Sequence, residues 1–274
     1  MANKQDNITL VAIDFEGHDL TRYALDQTLK QITPKEIVII SDKEILSGAT
    51  HIIRPPVANM SEYANLMLKG VNEHVNTSHA LYVQWDGIAV DNKNWTDEFL
   101  KYDYIGAPWP WKQEGVNVGN GGFSLRSKKL LTACMDDRIQ STKDNWAEDT
   151  LIADTHRSYL SGYYGIKYAP TNLAKQFSFE LGTHEPSFGF HGIWNVFNLM
   201  TDADMDYYAP RIDYTGWNVY RWHHVLRALI RRNRMDIYEF MIEMLVEHNP
   251  EMLDNIAARL EYTDAHPRSN LVID

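Results

Sequence analysis

The stretch Ile8–Ser41, with the sequence ITLVAIDFEGHDLTRYALDQTLKQITPKEIVIIS, decides the predicted fold. It opens with a short apolar run that ends at Asp14, and it closes with a β-branched run that ends at Ser41 and Asp42. Between the two runs, apolar side chains recur at helical spacing. The stretch therefore predicts a buried strand, a loop, a helix and a second buried strand.

The same alternation continues to about residue 92. Strands are predicted over His51–Arg54 and Ala80–Gln84, with a helix that opens at Ser61 between them. Alternating strands and helices of this length predict an α/β fold of Rossmann type, with a mixed, mostly parallel sheet flanked by helices. Ligands of such sheets bind beyond the carboxyl ends of the strands. The polar residues predicted at that edge are Asp14, Ser41, Asp42 and Asp86.

Beyond residue 92 the chain becomes rich in Trp, Gly and Pro. The densest pieces are GAPWPW (Gly106–Trp111) and GNGGFSLR (Gly119–Arg126). The remaining predicted elements are, in chain order, helices over Ser127–Gln140 and Asn145–Leu160, strands over Gly165–Ala169 and Lys175–Phe179, and a loop over Phe188–Gly192. Residues 218–261 are helical in pattern, with a break near Asn249 and Pro250. One α/β domain over residues 1–200 and a helical C-terminal extension over 201–274 are predicted.

Composition restricts the class of protein. The 274 residues carry 37 acidic against 26 basic groups, a net charge of −11, with 44% hydrophobic side chains. These values are typical of ordinary globular chains and argue against a surface that grips nucleic acid or anionic membrane throughout. The single cysteine, Cys134, excludes an intrachain disulfide and a cysteine metal cluster. A cytoplasmic protein without a secretory signal or transmembrane segment is predicted.

Asp86 follows a predicted buried strand and is the first candidate for chemistry. A carboxylate in that place can bind Mg²⁺ or Mn²⁺, which in turn binds a diphosphate. An Asp that caps the following turn explains the position as well. His191, between glycines, is a second candidate, and its role depends on whether it meets Asp86 in space.

The glycines of Gly119–Gly122 allow the backbone to approach a ligand closely. The segment is neither a dinucleotide-binding fingerprint nor a Walker loop, and a tight turn between strands is the alternative. Further on, Glu148 and Asp149 stand at the start of a predicted helix. Acids are favoured there by the helix dipole, and beside Trp146 one of them can also serve as a general base.

A run of arginines lies in the C-terminal part of the chain, with no acid between Asn218 and Met235. Its members are Arg221, Arg227, Arg231, Arg232 and Arg234. They can bind phosphates, nucleic acid or an anionic surface. Alternatively they form a solvated helix face that pairs with the acidic helix that follows; the acids of that helix are Asp236, Glu239, Glu243 and Glu247.

Three motifs in this order resemble a known family. They are YDYIGAPW (Tyr102–Trp109), VGNGGFSLR (Val118–Arg126) and the pair Glu148 and Asp149. Together they look like a glycosyltransferase-like domain family of the GT-A class of nucleotide-sugar transferases, most of whose members are uncharacterised. The resemblance covers roughly Ile8 to Gly192.

The resemblance implies a nucleotide-binding half over 1–92 and a catalytic half over 93–200. In GT-A enzymes an Asp-x-Asp motif holds Mn²⁺ or Mg²⁺ on the donor diphosphate; here the matching triplet is Gln84, Trp85 and Asp86, so the first Asp is absent. His191 takes the place of a later metal ligand. The implied donor-binding residues are Asp14, Ser41, Asp42, Gln84, Trp85, Asp86, Gly121 and Gly122.

The implied activity is transfer of a sugar from a nucleotide-sugar donor, UDP-linked, to an acceptor hydroxyl with inversion. Asp149, next to Glu148, matches the catalytic base, and Arg126 or Lys175 is the alternative positive charge if the metal is missing. The acceptor is expected to be a saccharide, stacked on Trp109, Trp111 and Trp146. Two alternatives remain: a transferase for a hydroxymethylated base in DNA, and a non-catalytic nucleotide-sugar or glycan-binding module.

Overall fold

The computed structural model describes residues 2–145, 147–182 and 184–265. The chain divides into two compact units, Met1–His191 and Gly192–Asp274. The domain boundaries expected near residues 92 and 200 stay predictions.

Nine strands occur in the described part of the first unit. In chain order they are β1 (Asn3–Asp14), β2 (Ile32–Ser41), β3 (Thr50–Ile53), β4 (His79–Val83), β5 (Gly87–Ala89), β6 (Tyr104–Ile105), β7 (Phe123–Ser127), β8 (Ser178–Phe179) and β9 (Gly189–His191). Six of them form the main sheet in the order β3-β2-β1-β4-β7-β6, and three form a small sheet in the order β5-β9-β8.

The main sheet is mixed and mostly parallel, as predicted. Strands β3, β2, β1 and β4 run parallel to one another, whereas β7 pairs antiparallel with β4 and with β6. β1 has a partner on each side, and its residues 8–14 are buried one after another. Consecutive burial is expected for a strand covered on both faces. The core therefore lies on β1 and its neighbours, and their carboxyl ends form one edge.

Six helices occur among the described residues of the same unit. They are α1 (His18–Gln31), α2 (Met60–Asn65), α3 (Lys128–Ala133), α4 (Glu148–Thr150), α5 (Arg157–Tyr164) and α6 (Thr171–Phe177). Single π turns continue α2 over Leu66–Gly70 and α4 over Leu151–Thr155. Short 3-10 turns cover Asn72–His74, Asn92–Asn94 and Asp97–Lys101.

The two long helices predicted after β7 are wrong in extent. The first ends at Ala133, because the Asp136 carboxylate accepts the backbone N–H of Arg138 at 2.9 Å and so closes a local turn. In the second, a π turn separates α4 from α5, which begins at Arg157. Trp146 lies outside the described residues.

Three short elements also differ from the prediction. The strand expected over Lys175–Phe179 is mostly helix α6, which starts after Pro170, and only its last two residues pair as β8. The loop expected over Phe188–Gly192 contains β9, which pairs with both β5 and β8. Residues Gly165–Ala169 form no strand of their own; Tyr168 makes one isolated bridge to Tyr104.

The described part of the second unit is helical. Its helices are α7 (Ile193–Leu199), α8 (Asp202–Tyr208), α9 (Val219–Arg231), α10 (Met235–His248) and α11 (Leu253–Ala265), with 3-10 turns over Ala209–Arg211 and Pro250–Met252. The predicted helical stretch with a break near Asn249 and Pro250 is confirmed. In its core Trp222 stacks on Tyr214 with ring centroids 5.4 Å apart. Of the helices described, none has the length and apolar character needed to cross a membrane.

Candidate functional site

The first part of the site is the edge where β1 and β2 end. Asp14 and Ser41 are register partners there. Asp14 Oδ1 accepts the backbone N–H of Gly17 at 2.9 Å, and its Oδ2 is buried without a partner. The Ser41 hydroxyl donates to the Lys43 carbonyl at 2.5 Å. Ser41 therefore stabilises its own turn, whereas Asp14 keeps one acceptor oxygen for a ligand.

Asp42 lies just beyond β2 and pairs with His18 from the start of α1. His18 Nε2 and Asp42 Oδ1 are 2.6 Å apart. The hydrogen bond from His18 holds the pKa of the Asp42 carboxyl below its usual range. This pair ties the end of β2 to the first helix.

Gln84, the residue in place of the first Asp of the motif, is held by a tyrosine that sequence reasoning missed. Gln84 Nε2 donates to the Tyr63 hydroxyl at 3.1 Å, and that hydroxyl donates to the Ile13 carbonyl at 3.1 Å. Burial and the charges of Glu148, Asp14 and Asp86 raise the pKa of Tyr63. Tyr63 therefore lies where these acidic groups converge. Its position on the core-facing side of α2 is the only feature of the sequence that could have indicated a role in the site.

Gly121 and Gly122 are required because two side chains lie against them. A Cβ at Gly121 would lie 1.8 Å from Glu148 Oε1. A Cβ at Gly122 would lie 2.1 Å from His191 Nε2 and 2.5 Å from Gln84 Oε1. The glycines thus let a carboxylate, an imidazole and an amide oxygen reach the backbone after β6 and before β7.

Asp86 and His191 meet in space, as their proposed joint role requires. Asp86 Oδ1 and His191 Nε2 are 3.5 Å apart, and the other ring nitrogen, Nδ1, lies 3.1 Å from Glu180 Oε1. Burial lowers the pKa of His191, but the Asp86 and Glu180 carboxylates outweigh it and hold that pKa well above its usual range. Two carboxylates therefore flank one imidazole.

This arrangement would fit a divalent cation bound by two protein ligands if the cation displaced the ring proton that lies between Asp86 and His191. A carboxylate oxygen and an imidazole nitrogen are both ligands for Mn²⁺, and a carboxylate on the second ring nitrogen orients the imidazole. No three His, Cys, Asp or Glu side chains of the described residues converge on one metal position. Asp86 and His191 can thus hold a cation that takes its other ligands from a diphosphate and water.

Glu180 and Asn120 are further residues of the site that sequence reasoning missed. Asn120 Nδ2 donates to Glu180 Oε2 and lies 3.0 Å from His191 Nδ1. Asn120 has φ 67°, a left-handed conformation that Asn tolerates better than most residues. The only sequence signal was the asparagine within the glycine run; Glu180 follows β8, a strand too short to recognise.

Glu148 is paired with Arg126 inside the unit. Arg126 is fully buried, its Nη2 lies 3.0 Å from Glu148 Oε1, and its guanidinium carbon lies 4.1 Å from the centroid of the Tyr82 ring. Because Glu148 compensates it within the core, Arg126 does not fit the alternative of a free positive charge for a leaving group. Lys175, the other alternative, lies 3.3 Å from Glu185 at an exposed site.

Asp149 differs from its neighbour because no ion pair involves it among the described residues. Its Oδ1 accepts the backbone N–H of Thr150 at 2.7 Å. Burial, and then the neighbouring Glu148 carboxylate, raise the pKa of Asp149 to about 7. Of the two adjacent acids, Glu148 is thus paired with Arg126, whereas Asp149 can exchange a proton near neutral pH.

The tryptophans expected to stack on an acceptor occupy different environments. Trp109 is buried, and its ring fills the space that a Cβ of Gly119 would need. Trp111 is 54% exposed and stacks on Trp109 with centroids 6.2 Å apart. Trp85 lies near Gly17 at the end of β1. Trp111 is thus the more accessible of the two described acceptor candidates.

A cavity of about 540 Å³ adjoins this cluster through Glu180. Its described lining residues are Pro108, Pro110, Asn117, Lys175, Ser178, Phe179, Glu180, Leu181, Gly182 and Glu185. The volume lies within the range of small-molecule sites.

Comparison with known proteins gives a family. The model of the family described as "Protein of unknown function (DUF5672)" matches residues 50–191, just over half of the chain. The chain belongs to the DUF5672 family. The matched segment includes Asp86, Glu148, Asp149, Glu180 and His191, whereas the β1 and β2 edge lies before it.

Two solved structures resemble this DUF5672 protein at low identity. The mannosyltransferase PcManGT from Pyrobaculum calidifontis, in complex with GDP-Man and Mn²⁺, is 12% identical, with TM-score 0.44 over 96% of this chain and 76% of that one. A structure from Bacillus anthracis described as a glucose-1-phosphate thymidylyltransferase, in complex with a sucrose, is 14% identical, with TM-score 0.37 over 59% of this chain and 86% of that one. No curated protein matches in sequence. Since both likenesses are weak, the fold rests on the strand order described above.

The arginine run of the DUF5672 chain is partly neutralised within the second unit. Arg232 pairs with Asp202 at 2.8 Å. Arg234 pairs with Asp206 and, at 2.7 Å, with Asp236. Of the acidic helix expected to pair with the run, only Asp236 does so among these bonds, and the other partners come from α8.

Proposed function

We propose that this DUF5672 protein is a glycosyltransferase that moves a sugar from a nucleotide-sugar donor, UDP-linked, to a saccharide hydroxyl. One observation carries the proposal: Asp86 and His191 meet beside Gly122, while Glu148 lies against the adjacent Gly121. A cation site for a diphosphate and a pair of acids for proton transfer are thereby joined by two consecutive glycines.

Asp149 is the proposed base. An acceptor hydroxyl has a pKa far above neutral, so it must lose its proton as its oxygen attacks the anomeric carbon. A carboxyl with a pKa of about 7 is matched to that task, because about half of it is ionised at neutral pH and the ionised form accepts a proton readily. Glu148, paired with Arg126, holds the loop and supplies the neighbouring charge.

Asp86 and His191 are the proposed ligands of a divalent cation, Mn²⁺ or Mg²⁺. When bound, such a cation stabilises the charge that gathers on a diphosphate. Asp86 would provide a carboxylate oxygen and His191 its Nε2, while Glu180 orients the ring through Nδ1. Asp14, with one buried oxygen unpartnered at the end of β1, is proposed to bind the nucleoside part of the donor.

Inversion of the anomeric centre is the proposed outcome. In a single in-line displacement the bond from the acceptor oxygen forms while the bond to the diphosphate oxygen breaks. The proton of the acceptor hydroxyl goes to Asp149, and the electron pair of the broken bond stays on the diphosphate. One carboxylate base is sufficient for this step.

A DNA acceptor receives less support than a saccharide. It was suggested by the arginine run, but Arg232 and Arg234 are paired with aspartates of their own unit. A non-catalytic binding module is the alternative, and the experiment below distinguishes it from a transferase.

The deciding experiment is donor hydrolysis with a panel of UDP- and GDP-linked sugars, with and without Mn²⁺. We expect hydrolysis of at least one donor, stimulated by Mn²⁺, and loss of that stimulation in Asp86→Ala. Asp137→Ala, which removes an exposed carboxylate outside the site, is the matched control and should retain the stimulation.

Absence of turnover with every donor would overturn the transferase proposal, and donor binding measured by calorimetry in the same samples would then identify a binding module. Turnover with unchanged Mn²⁺ stimulation in Asp86→Ala would overturn the cation assignment alone.

A further inference from the structure

The cavity beside Glu180 has walls of two kinds. Pro108, Phe179 and Leu181 supply apolar surface, and Asn117 and Ser178 supply uncharged polar groups. Apolar faces with a few polar groups are characteristic of sites for compact organic ligands. A sugar ring has such a pair of faces, since its C–H face is apolar and its hydroxyls are polar.

Ser178 provides the independent sign that a ligand belongs there. Its side chain is fully buried, its Oγ has no hydrogen-bond partner, and the residue lines the cavity. A buried hydroxyl without a partner costs free energy, so such groups are rare unless a ligand or water satisfies them. By contrast, the buried hydroxyl of Ser187 donates to the Gly189 carbonyl at 2.8 Å.

The charged groups of the described walls are paired with one another or with His191. Lys175 is the cation among them, and it lies 3.3 Å from Glu185. Glu180 adds a second carboxylate, which is paired with His191, so the described walls offer no cation without a counter-charge. Such a lining leaves the charge of an anionic ligand uncompensated, whereas a neutral ligand needs no counter-charge and an amino group can donate to the carboxylates.

We infer that this cavity is the acceptor site and that it selects an uncharged or amino-bearing saccharide over an anionic one. The inference rests on the proposed function. Glu180 joins the cavity to His191, so an acceptor bound there lies next to the donor cluster. Ser178 Oγ would donate to, or accept from, a hydroxyl of the sugar.

Matched acceptor probes test the charge selection. Methyl glucoside and methyl glucosaminide are compared with methyl glucuronide, with glucose 6-phosphate and with hydroxymethylated duplex DNA, using a donor that the protein hydrolyses. We expect transfer to the neutral or amino-bearing probes at least about tenfold faster than to the anionic ones. Transfer preferring an anionic probe, or no transfer to any neutral or amino-bearing probe while donor hydrolysis proceeds, would overturn the inference.

Failure of donor hydrolysis itself would count against the proposed function, and this result is distinguishable from a failure of the acceptor assignment, in which hydrolysis proceeds.

In Glu185→Lys, the ratio of glucuronide to glucoside transfer should rise several-fold, because the lining gains positive charge. Glu73→Lys, an exposed carboxylate outside the lining, should leave that ratio unchanged.

Two serine variants separate binding from folding. Ser178→Ala removes a hydroxyl with no partner in the chain, so we expect a several-fold higher acceptor KM and no loss of thermal stability. Ser187→Ala breaks an internal hydrogen bond and should lower the Tm while the acceptor KM stays constant. An unchanged acceptor KM in Ser178→Ala would overturn the assignment of this cavity.

Discussion

Two adjacent acids, Glu148 and Asp149, have the same charge and different surroundings. Glu148 faces the buried guanidinium of Arg126, whereas Asp149 accepts a backbone N–H and is raised in pKa by burial and by Glu148. Divergent surroundings of paired acids are a frequent basis for acid and base roles in catalysis. The difference has a measurable consequence in pH dependence.

Asp149→Asn should lower the rate of sugar transfer by about 10²- to 10⁴-fold, because the amide cannot accept the acceptor proton. In the unsubstituted protein the rate should rise with pH through about 7, since the base acts only when deprotonated and burial raises the pKa of Asp149 to about 7. Both are measured by pH–rate profiles of transfer.

Glu148→Gln removes the like charge beside Asp149, so the acid limb of the profile should move to lower pH. Asp154→Asn, an exposed carboxylate paired with Lys112, is the control and should leave the profile in place. An acid limb that does not move in Glu148→Gln would contradict the coupling of the two acids.

The prediction for Gly121 rests on the lack of room for a side chain at this position. Gly121→Ala places a Cβ 1.8 Å from Glu148 Oε1, so the carboxylate or the loop must shift. We expect a loss of about 1–3 kcal/mol in the free energy of unfolding and a large loss of transfer activity. Urea denaturation and transfer assays measure the two effects.

Gly162→Ala is the matched control. Gly162 lies inside α5, and a Cβ added there would have nothing within 4 Å, so alanine should stabilise the helix by about 0.5–1 kcal/mol. Equal effects of the two substitutions would show that steric crowding at Gly121 is not the cause.

Secondary-structure elements are joined at the site by a buried ion pair. Arg126 comes from β7 and Glu148 from α4, and the pair crosses the core beside Tyr82 of β4. Helix α4 and the π turn that continues it span only Glu148–Thr150 and Leu151–Thr155, a segment too short for its own hydrogen bonds to fix its position. The ion pair therefore holds α4 against the sheet.

Arg126→Met should destabilise the protein by about 3–5 kcal/mol, because Glu148 is left buried without its counter-charge. The double variant Arg126→Met with Glu148→Gln should lose less than the sum of the single variants, with a coupling of about 1–3 kcal/mol. A double-mutant cycle in urea measures this coupling.

Lys101 and Glu98 form an exposed pair at 2.5 Å and supply the control cycle. Exposed pairs couple weakly, so their coupling should fall within the error of the measurement. Additive losses for Arg126 and Glu148 would mean that the ion pair does not position α4.

The complete chain combines a net charge of −11 with a run of arginines of which Arg232 and Arg234 are paired within the second unit. Nucleic-acid affinity depends on cations available to phosphates, and it shows as a steep salt dependence. We therefore expect binding to duplex DNA of about 100 µM or weaker at physiological salt.

The triple variant Asp202→Asn, Asp206→Asn and Asp236→Asn removes the ion pairs of Arg232 and Arg234, so it should strengthen DNA binding several-fold and steepen its salt dependence. Fluorescence anisotropy at several salt concentrations measures both, and Asp137→Asn in the first unit is the control. Tight, salt-sensitive binding by the unsubstituted protein would instead support a DNA acceptor.

The sequence predicted the architecture from local patterns. Strands β1 to β4, the helix between β1 and β2, and the broken helical stretch from Asn218 were readable because apolar periodicity is a local property of the chain. Prediction from local patterns failed where an element was short or where a side chain formed hydrogen bonds that competed with those of the backbone. Helix α3 ends early at the Asp136 turn, and β8 and β9 are strands only because they pair with each other and with β5.

The mostly parallel sheet, and the acidic and glycine-rich segments near its carboxyl edge, follow from local patterns of the sequence. Which side chains meet follows from the folding of distant segments: His191 lies against Asp86, Glu180 contacts the other ring nitrogen of His191, and Arg126 pairs with Glu148. Periodicity records which face of an element is buried, but it carries no information about the partner across the space between distant elements. The site is built from such partners. The fold could therefore be predicted from the sequence, whereas the ion pairs of the site could be identified only from the three-dimensional structure.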